Sequence, residues 1–334
     1  MKWLITGGCG FLGTSLIKHL AAEGQHAIRV VDNLSVGTRE DLAAAGEFLE
    51  VGRHEIPALS ETLSMGTSSL LQLIVGDIGD EDLALKASEG VDVIVHLAAN
   101  TGVAPSVENP RMDCVSNVLG TLNYLEGARH NHVKRFVFAS SGAPVGECTP
   151  PIHEEMVPHP VSPYGASKLA GEGYCSAYFR TFGVETVALR FGNVYGPGSG
   201  HKNSVVAKFI KQAINREVLE IYGDGSQTRD FIYIDDLIRA VVCASKCHRI
   251  GGEVFKIASN RETTLKELTI YLIRAITKSG VDEPNVIYSE QRLGDVLRNY
   301  SDTTKAYRYL GWKSEVTLDV GLEKTISWYI NNRQ

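Results

Sequence analysis

Apolar and polar positions recur in one order along the first part of the chain. A short apolar run is followed by a glycine-rich or small-residue break, then by a stretch with apolar positions three and four apart. The runs Trp3–Ile5, Ala27–Val31, Leu71–Val75, Val93–Leu97, Arg135–Ala139 and Thr186–Arg190 predict strands. Helical spacing lies between most of them, as at Leu12, Leu16, Ile17 and Leu20. Repeated strand–helix units with such apolar strands imply an α/β fold with a doubly wound parallel sheet. Residues 37 to 70 break the alternation and read as a loose, partly helical excursion. Val115 to Ala128 reads as a buried helix carrying Asn117, an amide that needs partners there.

Ligands of doubly wound sheets bind at the carboxyl ends of the strands, so those ends carry the candidate chemistry. The first is Thr6-Gly7-Gly8-Cys9-Gly10-Phe11-Leu12-Gly13. Gly8, Gly10 and Gly13 fit G-x-G-x-x-G, and Gly7, Gly10 and Gly13 fit G-x-x-G-x-x-G. Glycine serves three needs here: a turn with unusual backbone angles, close approach to a pyrophosphate, and tight packing of helix on strand. The helix start then faces the anion with its N–H groups and positive dipole end. The second strand ends in Asp32-Asn33, about 20 residues on, where an acid takes the adenosine ribose hydroxyls. A carboxylate there would repel a 2′-phosphate and favours NAD over NADP. After the third strand come Asp77 and Ile78, a pair that suits either an adenine amino group and ring or a plain loop cap by the Asp. After the fourth, Leu97, Ala98 and Ala99 are small enough for backbone to approach the cofactor, and His96 reads as a structural histidine. After the fifth come Ser140 and Ser141.

Tyr164 and Lys168 open a later helical run behind Pro151, Pro158, Pro160 and Pro163. At i and i+4 they share one helix face. A nearby ammonium, joined by an oxidised nicotinamide, lowers a phenol's pKa from its usual value of about 10. Such a phenol can take a proton from an alcohol while hydride leaves the same carbon. Y-x-x-x-K alone is a common helix face; the glycine turn and Ser141 upstream give it meaning.

Composition narrows the class. The 334 residues are 43% hydrophobic and 22% charged, which suits a large soluble enzyme. A net charge of −6 argues against nucleic-acid or membrane-surface partners. No apolar run reaches spanning length, and the first core strand begins too early to leave room for a signal peptide. The six cysteines form no C-x-x-C pair, which predicts no metal site and reduced thiols in a cytoplasmic protein.

Taken together these motifs resemble the extended short-chain dehydrogenase/reductases, specifically the nucleotide-sugar epimerase/dehydratase family. The resemblance rests also on His96-Leu97-Ala98-Ala99, on Arg190-Phe191-Gly192-Asn193-Val194-Tyr195-Gly196-Pro197, and on Gly223-Asp224-Gly225-Ser226-Gln227-Thr228-Arg229-Asp230-Phe231. It covers essentially the whole chain. It implies a Rossmann-like NAD-binding domain over residues 1–190, with short returns near 230–260, and a smaller α/β nucleotide-sugar lobe over 191–334. It implies Ser141, Tyr164 and Lys168 as catalytic residues. Gly7, Gly10, Phe11, Leu12, Gly13, Asp32, Asn33, Asp77, Ile78, Leu97, Ala98, Ala99, Asn117 and Lys168 would contact NAD. Asn193, Arg229 and Arg292 would hold the diphosphate and Tyr222 and Asp295 the uridine, with Val206 and Asn299 also lining the substrate. It further implies a homodimer joined by helices near Val115–His130 and Lys168–Phe182.

Residue by residue, the family's dehydratases carry Thr-Asp-Glu where this chain has Ser141-Gly142-Ala143. Eliminating water needs an acid and a base at that place, which Gly142 and Ala143 do not supply. One base, one orienting hydroxyl and one hydride carrier remain. That set oxidises an alcohol and reduces it again, which points to a UDP-sugar 4-epimerase working through a transient 4-keto sugar. The alternative is a 4,6-dehydratase, or a UDP-glucuronate 4-epimerase as the substrate variant. Three positions depart from the family. Pro144-Val145 replaces its usual Val-Tyr, Ala104 stands where many uronate epimerases carry Arg, and Asn299 stands where galactose-specific members often have Tyr.

Overall fold

The structure is a computed structural model that describes residues 1–24, 26–53, 55–57, 59, 70–290 and 297–332. It divides into two compact units. One comprises Met1–Glu147, Met156–Arg190 and Ala240–Phe255; the other comprises Cys148–Glu155, Phe191–Arg239 and Lys256–Gln334.

In the first unit, β1 (Lys2–Thr6) is apolar on both faces because it lies inside the sheet, parallel to both neighbours. Ile5 pairs with Val30 of β2 (Ala27–Asp32) on one side and with Val95 of β5 (Val93–His96) on the other. β3 (Leu49–Glu50) and β4 (Leu70–Val75) extend the sheet beyond β2, and β6 (Arg135–Ser141) lies beside β5. With β7 (Thr186–Phe191) and β12 (Glu253–Ile257) the order is β12-β7-β6-β5-β1-β2-β4-β3. This is the Rossmann-like doubly wound sheet. Helix α1 (Phe11–Glu23) follows β1, and a short α2 (Arg39–Ala43) closed by a Thr38/Asp41 capping box follows β2. Then come α3 (Glu81–Ala87), α4 (Val103–Glu108) and α5 (Pro110–Cys114). Leu4, Val31, Ile74, Ile94, Phe136 and Phe138 form the centre of the core, covered by Leu83, Tyr124 and Leu125.

Four readings are revised. The excursion after residue 37 contributes an edge strand, β3, too short to carry an alternation. The stretch from Val115 is a π-helical turn, Val115–Leu119, leading into α6 (Gly120–His130). It is buried on one face only. Asn117, Gly120, Thr121 and Tyr124 turn inward, whereas Val115 and Leu119 are exposed. β5 stops at His96, and β6 runs on to Ser141, which makes that serine the last residue of its strand.

Arg29 is an unusual resident of a central strand, with 1% of its surface exposed. It donates to Gln72 Oε1 (3.1 Å) and to the carbonyls of Ala87 (2.7 Å), Glu89 (3.2 Å) and Pro57 (2.9 Å). Burial lowers its pKa to about 10.

The second unit is built on small sheets. β8 (Asn193–Tyr195) runs parallel to β11 (Phe231–Tyr233), and β9 (Leu219–Tyr222) parallel to β14 (Val286–Ser289). β10 (Thr228–Arg229) is antiparallel to β13 (Thr263–Thr264). Following α7 (Pro163–Phe182) of the first unit, the remaining helices are α8 (Val205–Ile214), α9 (Ile234–Lys246), α10 (Leu265–Lys278), α11 (Thr304–Leu310) and α12 (Leu318–Asn331). Among the described residues no helix is long and apolar enough to cross a membrane.

Candidate active site

The glycine turn is shaped by close packing. A Cβ on Gly13 would stand 2.4 Å from both Gly7 O and Gly8 Cα, and one on Gly7, whose φ is +69°, would stand 2.9 Å from Ala98 N. Only glycine lets the helix start this close to the strand. On Gly10, by contrast, a Cβ would meet only Gly7 O, at 3.3 Å, so the turn has room on that side. Gly10 is the N-cap of α1, no side chain caps it, and the first turn carries no acid. A helix end so left offers donors and positive potential to an anion. These features fit a dinucleotide pyrophosphate.

Asp32 sits at the end of β2 and braces the turn. Its Oδ2 accepts from Cys9 N at 2.9 Å and its Oδ1 from Leu34 N at 2.8 Å. Burial nevertheless pushes its carboxyl above the usual range, against those two hydrogen bonds. Asn33 Nδ2 donates to Asp77 Oδ2 at 2.8 Å, which joins the ends of β2 and β4 over the exposed rim. Ile78 is buried beside Gly120. At the end of β5, Thr6 Oγ1 accepts from Ala98 N at 3.2 Å and lies 2.9 Å from His96 Nδ1. His96 is therefore a structural strut, which burial drives down to about 3 and keeps neutral. Gly7, Gly10, Phe11, Leu12, Leu97, Ala98 and Ala99 are all half-buried along this rim. Asn117, in the π turn, holds both the N (2.8 Å) and the O (3.0 Å) of Asn100 and reaches Ser167 Oγ at 3.1 Å. Its amide is thus committed to fixing the loop after β5 against α7.

Tyr164 and Lys168 lie in the first turns of α7, which Ser162 caps by accepting from Gly165 N at 3.1 Å. The Tyr164 hydroxyl is hydrogen-bonded to Ser141. Lys168 Nζ is buried, donates to the Ala139 carbonyl at 2.9 Å and stands 5.9 Å from the centre of the Tyr164 ring. Burial lowers Lys168 to about 8, opposed by the carboxylates of Asp113 and Glu172. Burial raises the Tyr164 phenol, with the Ser141 hydrogen bond pulling down and Asp113 pushing up. In the protein alone, desolvation is the largest influence on the phenol. Residues 142 to 145 bring no ionisable side chain beside Ser141, whose Oγ accepts from Ala143 N at 3.1 Å.

The second unit gathers another set. Asn193 N donates to Asp230 O at 2.9 Å, beside Arg229, and Asn299 N donates to Thr228 Oγ1 at 3.2 Å. Asp230, buried, fixes this frame by accepting from Ser259 N and Oγ and from Ser301 N. Gln227 ties Tyr222 to the same turn at 2.7 Å, and the Tyr222 hydroxyl donates to Glu220 at 2.6 Å. The Val206 side chain is 1% exposed and packs inward in α8, so it presents no open surface in this conformation. Arg292 and Asp295 lie outside the described residues. Among the described residues no group of three or more His, Cys, Asp or Glu could hold a metal ion, and none of the six cysteines is in a disulfide.

Sequence reasoning missed Asp113, Glu172 and Arg190, each buried next to this chemistry. The available signals were an acid four residues past Lys168 and an arginine inside an apolar strand.

A family model described as NAD dependent epimerase/dehydratase family matches residues 3–258. The chain is 34% identical over 339 residues to a UDP-glucose 4-epimerase of Mycolicibacterium smegmatis, covering 100% of both. Among solved structures it is similar to a UDP-glucose 4-epimerase of Thermotoga maritima with UDP-glucose, at 33% identity and a TM-score of 0.85, covering 99% of each chain. It is also similar to a UDP-glucuronic acid 4-epimerase of Bacillus cereus with UDP-glucuronic acid and NAD, at 30% identity and 0.83, again covering 99% of each. On this match and on the glycine turn, Ser141, Tyr164 and Lys168, the chain belongs to the NAD-dependent epimerase/dehydratase family.

Proposed function

We propose that the protein is an NAD-dependent UDP-sugar 4-epimerase. The observation that carries this reading is a hydroxyl, a phenol and an ammonium gathered at Ser141, Tyr164 and Lys168, with no acid or base at residues 142 to 145. The similar proteins act on UDP-sugars, which supports the same substrate class here.

Bound NAD supplies a two-way hydride carrier for the sugar's C4. The chain's own residues do the rest. The Asp32 carboxylate and the rim from Gly7 to Gly13 hold the dinucleotide, with Asn33, Asp77, Ile78 and Leu97 to Ala99 at its adenosine and phosphates. Lys168 takes the nicotinamide ribose and keeps positive charge beside the phenol. Tyr164, ionised beside Lys168, accepts the proton of the 4-hydroxyl at its phenolate oxygen and returns it after the 4-keto sugar presents its other face. Ser141 holds the reacting oxygen. Asn193 and Arg229, with Arg292, hold the diphosphate; Tyr222, with Asp295, takes the uridine, and Asn299 lines the sugar. Arginine suits bidentate phosphate binding.

The working form is a homodimer in the cytoplasm. Support for the dimer comes from an exposed apolar stripe with the spacing of one helix face: Met112, Val115 and Leu119, accompanied by Tyr174 and Phe182 of α7. Six cysteines without a disulfide among the described residues suit a reducing compartment.

The test is incubation with UDP-glucose, UDP-N-acetylglucosamine and UDP-glucuronate, with the C4 epimers resolved by NMR. One pair interconverts without net change at 340 nm, and Tyr164→Phe slows it by about 10²-fold or more while folding and bound NAD are kept. A stable 4-keto-6-deoxy product, or released NADH, would overturn the reading.

A further inference from the structure

The last three residues of β6 each reach α7. Ala139 accepts from Lys168 at 2.9 Å, Ser140 Oγ donates to Glu172 Oε1 at 2.6 Å, and Ser141 is bonded to Tyr164. Tyr164, Lys168 and Glu172 follow one another at four-residue steps, so successive pairs are neighbours on the helix. Arg190, on the neighbouring strand β7, grips Glu172 with both arms, Nε at 2.8 Å from Oε1 and Nη2 at 2.7 Å from Oε2. Glu172 is 5% exposed and Arg190 3%.

The mechanism above leaves this pair without a part. A buried ion pair is weak as a source of stability. This one also leaves Arg190 Nη1 buried with no hydrogen-bond partner. We infer that Glu172, clamped by Arg190 and Ser140, is a positioning residue that fixes the end of β6 against Tyr164 and Lys168. The inference rests on the 4-epimerase reading of the same site.

The groups facing Lys168 come from four elements. Tyr164, Glu172 and Cys175 lie on α7 and Asp113 on α5. His96 lies on β5, and the Ala139 carbonyl and Phe138 ring on β6. His96 is neutral and Cys175 is a buried thiol, so Asp113 and Glu172 are the carboxylates that oppose the desolvation of Lys168. Arg190 joins this set from β7 through Glu172.

Three variants test the inference: Glu172→Gln, Glu172→Asp and the double variant Glu172→Gln/Arg190→Gln. Each is followed by melting temperature and by the pH profile of kcat. The ionisation of Tyr164 in the NAD-loaded protein is read near 295 nm as the difference from the same background carrying Tyr164→Phe. Activity needs the ammonium, so the alkaline limb of kcat tracks Lys168. In Glu172→Gln that limb moves down by about one pH unit and the Tyr164 ionisation moves up. Glu172→Asp keeps the charge and the wild-type limb. Glu172→Gln alone strands Arg190 and melts early; the double variant recovers the melting temperature but keeps the displaced limb and the displaced phenol. A double variant with wild-type limb and wild-type Tyr164 ionisation would assign the pair to structure alone and overturn the inference. Should the wild type turn over none of the UDP-sugars, the epimerase reading fails, while the phenol titration still decides the role of Glu172.

Discussion

Lys168 shows how one residue sets stability and chemistry against each other. Burial takes its pKa from the usual 10.5 to about 8. Between those values the unfolded chain holds a proton that the folded chain lacks, so stability rises with pH across the window. Below about 8 the full burial penalty is present, on the order of 3 kcal/mol. Lys168→Met is therefore expected to melt higher than wild type at pH 7, with the gain shrinking as pH approaches 10.5. It is expected to lose turnover and to retain less NAD. Lys202, also lowered to about 8, titrates in both proteins and cancels in the comparison. A variant that melts lower at pH 7 would mean that the Ala139 hydrogen bond and the two carboxylates outweigh desolvation.

At the scale of elements, the β1–α1 junction admits no side chain at its third glycine. Gly13→Ala would place a methyl 2.4 Å from backbone on two sides. We expect a loss of about 1–3 kcal/mol from overpacking, and protein purified with little bound NAD. Thermal melting and the absorbance ratio at 260 and 280 nm measure both, and an unchanged variant would remove the packing argument. The same junction was legible in the sequence because glycine, strand and helix signals coincide there. The strands β1, β2 and β4 to β7 were legible because interior parallel strands read as unbroken apolar runs. β3, β8, β10, β11 and β13 are two or three residues long, too short for any period to show. The π turn differs from an α-turn in backbone geometry rather than in composition. Tyr164 and Lys168 could be paired from spacing, but the partner of Arg190 could not, since β7 meets α7 only in the folded unit. The direction of the Tyr164 shift in the protein alone was likewise hidden, because burial sets it and burial exists only in the folded unit.

For the molecule as a whole, the apolar stripe on α5, the π turn and α7 is the feature on which the proposed dimer rests. Leu119 is 48% exposed and Val115 43%. Val115→Glu/Leu119→Glu is expected to shift the mass measured by light scattering from dimer to monomer, with the fold retained by circular dichroism. A double variant that stays dimeric would move the interface elsewhere. Arg29 acts at this scale too. Its four acceptors come from three separate stretches: Pro57, Gln72, and the pair Ala87 and Glu89. Sliding β2 by one residue would turn the guanidinium to the opposite face of the sheet and strip it of all of them. An apolar residue there would tolerate such a slip at the cost of some packing, whereas a cation left bare does not. The strand that ends in the cofactor's carboxylate is thus keyed into place like a lock with a single notch, and the error it guards against is misalignment during folding.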